Sequence, residues 1–456
     1  MSETKLIRDY TRGPVMRQML TFACPFMLSN LLQTAYNLVD MAVVGQYLGA
    51  AGLSAVSVGG DLIHIYTFIA MGFCNAGQIL ISQYIGLRNK KAVSETVGLL
   101  FTFTVFLSVV LTLIGVCFNS IFLRWLNVPP DAYDYCYSYT MCCTLGIIFM
   151  CGYQLIGSIL RGMGNSRHPL IFIVIATVIN TALDILLVSH GWGAFGAAVA
   201  TVIAQGVSLL LSIIFLARHK VEFGFDFRLK SFFPKQDKLR LLCKLGIPLT
   251  LQSSAISISM MAIMGFINVY GVIASAVTGV GFKISSVTSV VTLALSQCGG
   301  TMVGQNFTAG KFERVKKIQY ASYIIGLSFA ALLSTAVILW PEKVFSLFDD
   351  SPEVLSMSRT YVPVAVINIL GFALRAPGLA LCNGLGFASM NFVLGMMDGV
   401  VLRIGLSILL GITLGMGIYG FWYGSAIAGI TFFVVMFPYL LSGRWKNRKP
   451  PTVSSS

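Results

Sequence analysis

The sequence predicts an all-α polytopic membrane protein, with twelve transmembrane helices in two pseudo-symmetric six-helix lobes, and three observations carry that prediction. Of 456 residues, 56% are hydrophobic and only 11% are Asp, Glu, Lys or Arg, at a mean hydropathy of +0.82; a soluble chain carries roughly 25% charged residues. The apolar residues fall in blocks close to the about 20 residues that one membrane-crossing helix needs. The 31 Lys and Arg, against 17 Asp and Glu, sit almost entirely in the short connections between those blocks. Such a basic excess would also raise nucleic acid as a partner, but no basic patch is interleaved with aromatic residues, so none is expected.

Taken in order, Lys5, Arg8 and Arg12 lead into the first window, 16–44, which has Arg17 at its start, contains Pro25 and is of spanning length. No A-x-A-like site follows a short apolar stretch, so no cleaved leader is expected. The second window, 53–81, carries Asp61 and His64 and ends before Arg88, Lys90 and Lys91; the third, 95–118, is followed by Arg124. The fourth, 135–160, runs into Arg161 and Arg167, and the fifth and sixth are 169–189 and 194–217. A linker at 218–244 then holds eight Lys and Arg. The seventh window, 245–269, opens with Pro248; the eighth, 274–303, contains Lys283 and precedes Lys311, Arg314, Lys316 and Lys317. The ninth and tenth, 319–340 and 357–382, flank Lys343, and the tenth has Arg359 at its start and contains Arg375. The eleventh, 389–413, carries Asp398 and Arg403, and the twelfth, 417–441, leads into Arg444, Lys446, Arg448 and Lys449. Ten cysteines lie mostly inside these windows without a C-x-x-C pair, as small packing residues rather than metal ligands or disulfides.

Alternate connections therefore hold 25 basic residues on the side of the termini and three on the other. By the positive-inside rule both termini are cytoplasmic, in the inner (plasma) membrane of a cell. A shift of 222 aligns Gly77 with Gly299, Gln83 with Gln305, Val93 with Val315, Tyr139 with Tyr361, Gly162 with Gly384 and Gly164 with Gly386. Pro25 matches Pro248 at 223, and Gly193 and Gly196 match Gly417 and Gly420 at 224. The expected organisation is a first lobe at 1–217, the linker at 218–244, a second lobe at 245–441 and a tail at 442–456. Six helices per half make the two halves parallel repeats, an arrangement suited to alternating access.

An ionisable side chain within a span costs on the order of 2.5–3.5 kcal/mol, so each is a functional candidate. Gln33, Asn37 and Asp40 stand at i, i+4 and i+7 on one face of the first helix, and Thr177, Asn180 or Thr181, and Asp184 repeat the pattern on the fifth. Two carboxyls among amides and hydroxyls suit a proton carrier, and the same hard oxygens suit Na⁺. The alternative is polar glue between helices. The repeat partners of Asp40 and Asp184 are Ile263 (or Ala262) and Leu406, so whatever the acids do is done in one half only. A bend at Pro25 would move Asp40.

Asp61 and Lys283 are 222 apart, equivalent positions of opposite charge. Either they meet across the cleft as an outer gate, or each finds a partner in its own half, with His64 next to Asp61. Asp398 and Arg403, five apart and so about 140° around an α-helix, are not expected to pair directly. Arg375 is expected to snorkel from the end of its helix.

The stretches Asn37-Leu38-Val39-Asp40 with Val44-Gly45 and Leu48-Gly49, Ile159 through Asn165 ending in Pro169, and Asn180 through Asp184 followed by Gly193 to Thr201 together resemble the multidrug and toxic compound extrusion (MATE) family, over nearly the whole chain. The resemblance implies a two-lobed exporter of cationic or amphipathic small molecules, driven by H⁺ or Na⁺, closer to the DinF-like branch than to the NorM-like one. It implies a first-lobe site at Tyr36, Asp40, Asn180, Asp184 and Thr201. Na⁺, if used, would lie at Asp40, Asp184 and Asn180. Gln154 stands where many relatives have Asn, and its longer amide suits a cation cage of fixed size less well, which tilts the expectation towards H⁺. No other cofactor is expected, and the chain is expected to act as a monomer in the bilayer. A lipid-linked oligosaccharide flippase is the alternative, though only Lys283, Arg375 and Arg403 could meet a pyrophosphate. No H-E-x-x-H, G-x-G-D or phosphate-loop motif is present, so no enzyme activity is expected.

Overall fold

The computed structural model describes residues 6–225, 227–233 and 235–453, and Lys5 of the basic amino-terminal run lies outside them. The first helix, α1, is Val15–Gly86, 72 residues broken at Gly49 (φ 64°, ψ −152°). Unbroken it would be about 108 Å long, more than three bilayer cores. Only glycine tolerates the conformation that breaks it. Then follow α2 (Lys90–Trp125), and α3 (Pro130–Leu145) with α4 (Ile147–Gly162), bent by 51° at Gly146. The first half closes with α5 (Arg167–Leu187), a π-helical turn (Val188–Trp192) and α6 (Gly193–Arg218).

The second half repeats the series with α7 (Gln236–Asn268), α8 (Val272–Thr308), α9 (Phe312–Leu339), α10 (Pro352–Leu385), α11 (Ala388–Thr413) and α12 (Ile418–Ser442). Among the described residues nine continuous helices are long and apolar enough to cross a membrane, and the bent α3–α4 pair makes ten. Two of the nine, α1 and the run Arg167–Arg218, have 72 and 52 residues, enough for two crossings each, and break at Gly49 and near Gly193. The protein is a multi-pass helical membrane protein, and no strand occurs among the described residues.

The repeat seen in the sequence is also written in the backbone. Positive φ recurs at equivalent glycines: Gly49 and Gly271 (64° and 99°), Gly164 and Gly386 (83° and 66°), Gly193 and Gly417 (both 58°). Close packing recurs too. A Cβ on Gly59 would come within 2.8 Å of the Tyr139 ring, and one on Gly281 within 2.2 Å of the Tyr361 ring.

The chain forms two compact units: Cys24–Gly246 with the residues up to Arg8, and Asp9–Ala23 with the chain from Ile247 onward. Of the three passages between units, the one at Arg8–Asp9 precedes α1, and the other two, at Ala23–Cys24 and Gly246–Ile247, fall within two residues of a proline inside a helix, Pro25 in α1 and Pro248 in α7. Proline removes one helical hydrogen bond and admits a bend there. Each unit has its own core. The first centres on Val44, Leu62, Tyr66, Tyr139, Ile147 and Ala198, the second on Ile263, Val280, Tyr361, Ala365, Phe421 and Trp422.

Candidate cation site in the first unit

Four helices of the first unit meet at one buried polar cluster. Helix α1 brings Tyr36 and Asp40, α3 brings Tyr139 and Cys143, α5 brings Asn180 and Asp184, and α6 brings Thr201; all are buried. Asp40 and Asp184 are immediate neighbours, with Asn180 beside both and Tyr36 alongside. Thr201 Oγ1 donates to Asp40 Oδ2 at 3.3 Å, and Asn180 Nδ2 reaches Thr201 Oγ1 at 3.5 Å.

This short chain of donors leaves much unsatisfied. Asp40 Oδ1, both oxygens of Asp184, Asn180 Oδ1 and the Tyr36 hydroxyl are buried without a hydrogen-bond partner among the described residues. Leaving one such atom unpaired costs about 1–3 kcal/mol, more for a charged group. Among the described residues neither acid forms an ion pair with Lys, Arg or His. Two carboxyls, an amide oxygen and a phenol converging without a counter-ion are a donor set for a proton or an alkali cation. No group of three or more His, Cys, Asp or Glu among the described residues suits a transition metal.

The sequence pattern named Asn180 or Thr181 on α5. Asn180 faces the cluster, whereas Thr181 is half-buried, and Thr177 turns its hydroxyl back to the Ile173 carbonyl at 2.8 Å. Gln33 and Asn37 are half-buried and form no hydrogen bond among the described residues, so only Asp40 of that stripe joins. Gln154 on α4 is likewise half-buried and is not hydrogen-bonded to the cluster. Tyr139 and Cys143 were not foreseen as site residues. Tyr139 was already marked by its repeat match to Tyr361, a signal read as symmetry alone. Asp61 is exposed on α1 and forms no ion pair among the described residues. Lys283 is also exposed, and finds neighbours in its own half: its Nζ lies 5.9 Å from the Phe348 ring centre, near Asp349. Hydrogen bonds from the Ser351 hydroxyl and amide, with the Lys283 charge adding, hold the Asp349 carboxyl below the usual range.

Two expectations about the second unit are overturned. Asp398 and Arg403 do pair, Arg403 Nη2 to Asp398 Oδ1 at 2.9 Å. The reason is local: Met397–Leu402 is a π-helix, with the Arg403 amide bonded to the Asp398 carbonyl, so residues five apart share a face. Arg375 does not snorkel. It is buried, with Nη1 3.0 Å from Asp398 Oδ2 and its guanidinium over the Phe432 ring. Arg403 Nη1 also donates to the carbonyl and hydroxyl of Ser425, the repeat partner of Thr201.

Comparison with known proteins agrees with this layout. The MatE family model matches twice, at residues 25–186 and 248–409, once per half and each time from the helix proline onward. The probable multidrug resistance protein YoeA of Bacillus subtilis (strain 168) is 30% identical, over 81% of this chain and 81% of that protein. YpnP of the same organism, also a probable multidrug resistance protein, is 28% identical, over 97% of this chain and 98% of that one. A crystal structure of MATE in the bent conformation superposes with a TM-score of 0.87 at 21% identity, covering 99% of this chain and 100% of the other, and shows the shared fold. With a family model spanning most of both halves, the chain belongs to the MatE family.

Proposed function

We propose that the protein is a secondary active efflux transporter, exporting cationic or amphipathic compounds in exchange for H⁺ or Na⁺ by alternating access. It acts as a monomer in the plasma membrane with both termini cytoplasmic. One observation carries the reading: two neighbouring buried carboxyls, Asp40 and Asp184, with orphaned oxygens around them and, among the described residues, no cationic side chain paired to either. The multidrug resistance names of its relatives supply the class of cargo.

In this mechanism Asp40 and Asp184 share the incoming cation. Asn180 and Tyr36 supply the remaining oxygens, and Thr201 fixes Asp40 through its hydroxyl. Two adjacent carboxylates repel in a medium of low dielectric, and a bound cation lets them close together. Asp40 stands 15 residues beyond Pro25 on α1, about 22 Å along the helix, so a small pivot at the proline is a large displacement at the carboxyl. Loading and unloading the cation thereby reshapes the first unit's interior, and cargo is released on the opposite stroke. Gln154, half-buried on α4, joins only if that reshaping brings its amide inward. The flippase reading loses two of its three cations, since Arg375 and Arg403 are both engaged by Asp398.

Purified protein in liposomes, given a proton gradient or a Na⁺ gradient separately, tests this. Ethidium efflux should follow one gradient in the wild type and vanish in Asp40→Asn. Full efflux by Asp40→Asn would sink the proposal.

A further inference from the structure

A second site lies in the second unit, at the amino-terminal end of α9. Here a cavity of about 480 Å³ is lined by Lys311, Phe312, Glu313, Arg314, Lys317 and Lys446, four cations against one carboxylate. We propose that it docks the phosphate of an anionic membrane lipid headgroup.

The wall is rigid before any ligand arrives. Arg314 donates to the carbonyls of Tyr10, Arg12 and Gly13 at 2.7–2.9 Å and to Gln18 Oε1 at 2.7 Å, so its guanidinium is fixed. Lys311 Nζ reaches the Thr11 carbonyl at 2.8 Å. Glu313 is held by Lys446 at 3.1 Å and Lys316 at 3.4 Å. Lys317 is exposed and has no partner among the described residues. Phe312 packs edge-on against the buried Trp445, 5.7 Å between ring centres, and forms an apolar side to the cavity.

Comparison with the other half shows what is special. The shift of 222 pairs Lys311 with Asn89, and Lys317 with Glu95. Asn89 caps α2, its side chain accepting from the Ala92 amide at 3.0 Å. Lys311 has no acceptor to offer, so α9 begins without a side-chain cap. At the same place the second half has thus exchanged a cap for a cation and an acid for a base. Each change favours an anion at this helix end. The cavity also lies where two spans end, α9 at Phe312 and α12 at Ser442, the depth at which headgroup phosphates sit. Charge complementarity and depth together select a lipid phosphate over a free one.

The full-length protein in detergent, titrated with phosphatidylglycerol, phosphatidylcholine or inorganic phosphate and read by native mass spectrometry, tests this. The wild type should retain phosphatidylglycerol in preference to the other two. Lys317→Glu and Lys311→Asn, which copy the first half, should each weaken phosphatidylglycerol about fivefold. Lys311→Asn restores a cap, so its unfolding temperature should hold or rise, and lost lipid cannot be ascribed to lost fold. Unchanged lipid affinity in the double variant overturns the proposal. So does phosphatidylcholine binding as well as phosphatidylglycerol, or inorganic phosphate displacing the lipid at equal concentration.

Discussion

Asp184 in the first unit and Asp398 in the second are both fully buried, on equivalent helices of a repeated fold, yet their surroundings are opposite. Asp398 is held between two arginines at 2.9 and 3.0 Å. Asp184 has another carboxyl beside it and, among the described residues, no hydrogen-bond partner on either oxygen. Burial alone therefore does not mark an ion carrier. A carrier must have its counter-charge missing from the protein, so that an ion from outside completes it. In the second unit Arg403 completes the site from within: its guanidinium reaches Ser425, the counterpart of Thr201, while Ile263 replaces the acid of α1.

Neutralising the acids should separate the two units most sharply. Asp40→Asn with Asp184→Asn is expected to reduce drug efflux to background while the unfolding temperature in detergent holds or rises, because two crowded buried carboxyls without a counter-ion are replaced by neutral amides. Asp398→Asn should act the other way. Breaking a buried ion pair from one side costs about 3–5 kcal/mol, here with two guanidinium groups left behind. Its unfolding temperature should fall by several degrees, and efflux should decline only with the amount of folded protein. Equal destabilisation by both substitutions would erase the distinction.

Much of this contrast was legible in the sequence. The apolar windows, the repeat offset and the absence of acids at Ile263 and Leu406 follow from counting and alignment, because bilayer thickness and helix rise leave little freedom. The Asp40–Asp184 pair was legible because a polar stripe at i, i+4 and i+7 is conspicuous in a span. The Arg375–Asp398–Arg403 triad was not. Its geometry depends on a π-helical turn that changes which residues share a face, and periodicity assumes 3.6 residues per turn throughout. Tyr139 was hidden for another reason: an aromatic residue in an apolar window looks like packing until its neighbours are known.

The matched glycines offer a finer test. Gly281→Ala forces a methyl into Tyr361, which is itself wedged against Trp422 at 4.9 Å between ring centres and cannot yield. Overpacking of this kind costs about 1–3 kcal/mol. Gly59→Ala meets Tyr139 at a less severe 2.8 Å, so its stability cost should be the smaller. Tyr139 adjoins Asp40, however, and Gly59→Ala should impair efflux beyond its effect on folding, which Gly281→Ala should not. Thermal unfolding and ethidium efflux measured on the same preparations separate the two.

The smallest expected difference concerns the caps of α2 and α9. Asn89→Ala removes the acceptor for the Ala92 amide and should cost about 1 kcal/mol, the usual value of a helix cap. Lys311→Ala, at the equivalent place, removes no cap and should leave stability within about 0.5 kcal/mol, the range of ordinary surface substitutions. Its own bond to the Thr11 carbonyl is solvent-exposed and contributes little. If Lys311→Ala proves as costly as Asn89→Ala, the lysine is holding the amino-terminal segment rather than furnishing charge to the cavity. The asymmetry between the two helix starts would then be one of architecture rather than of ligand binding.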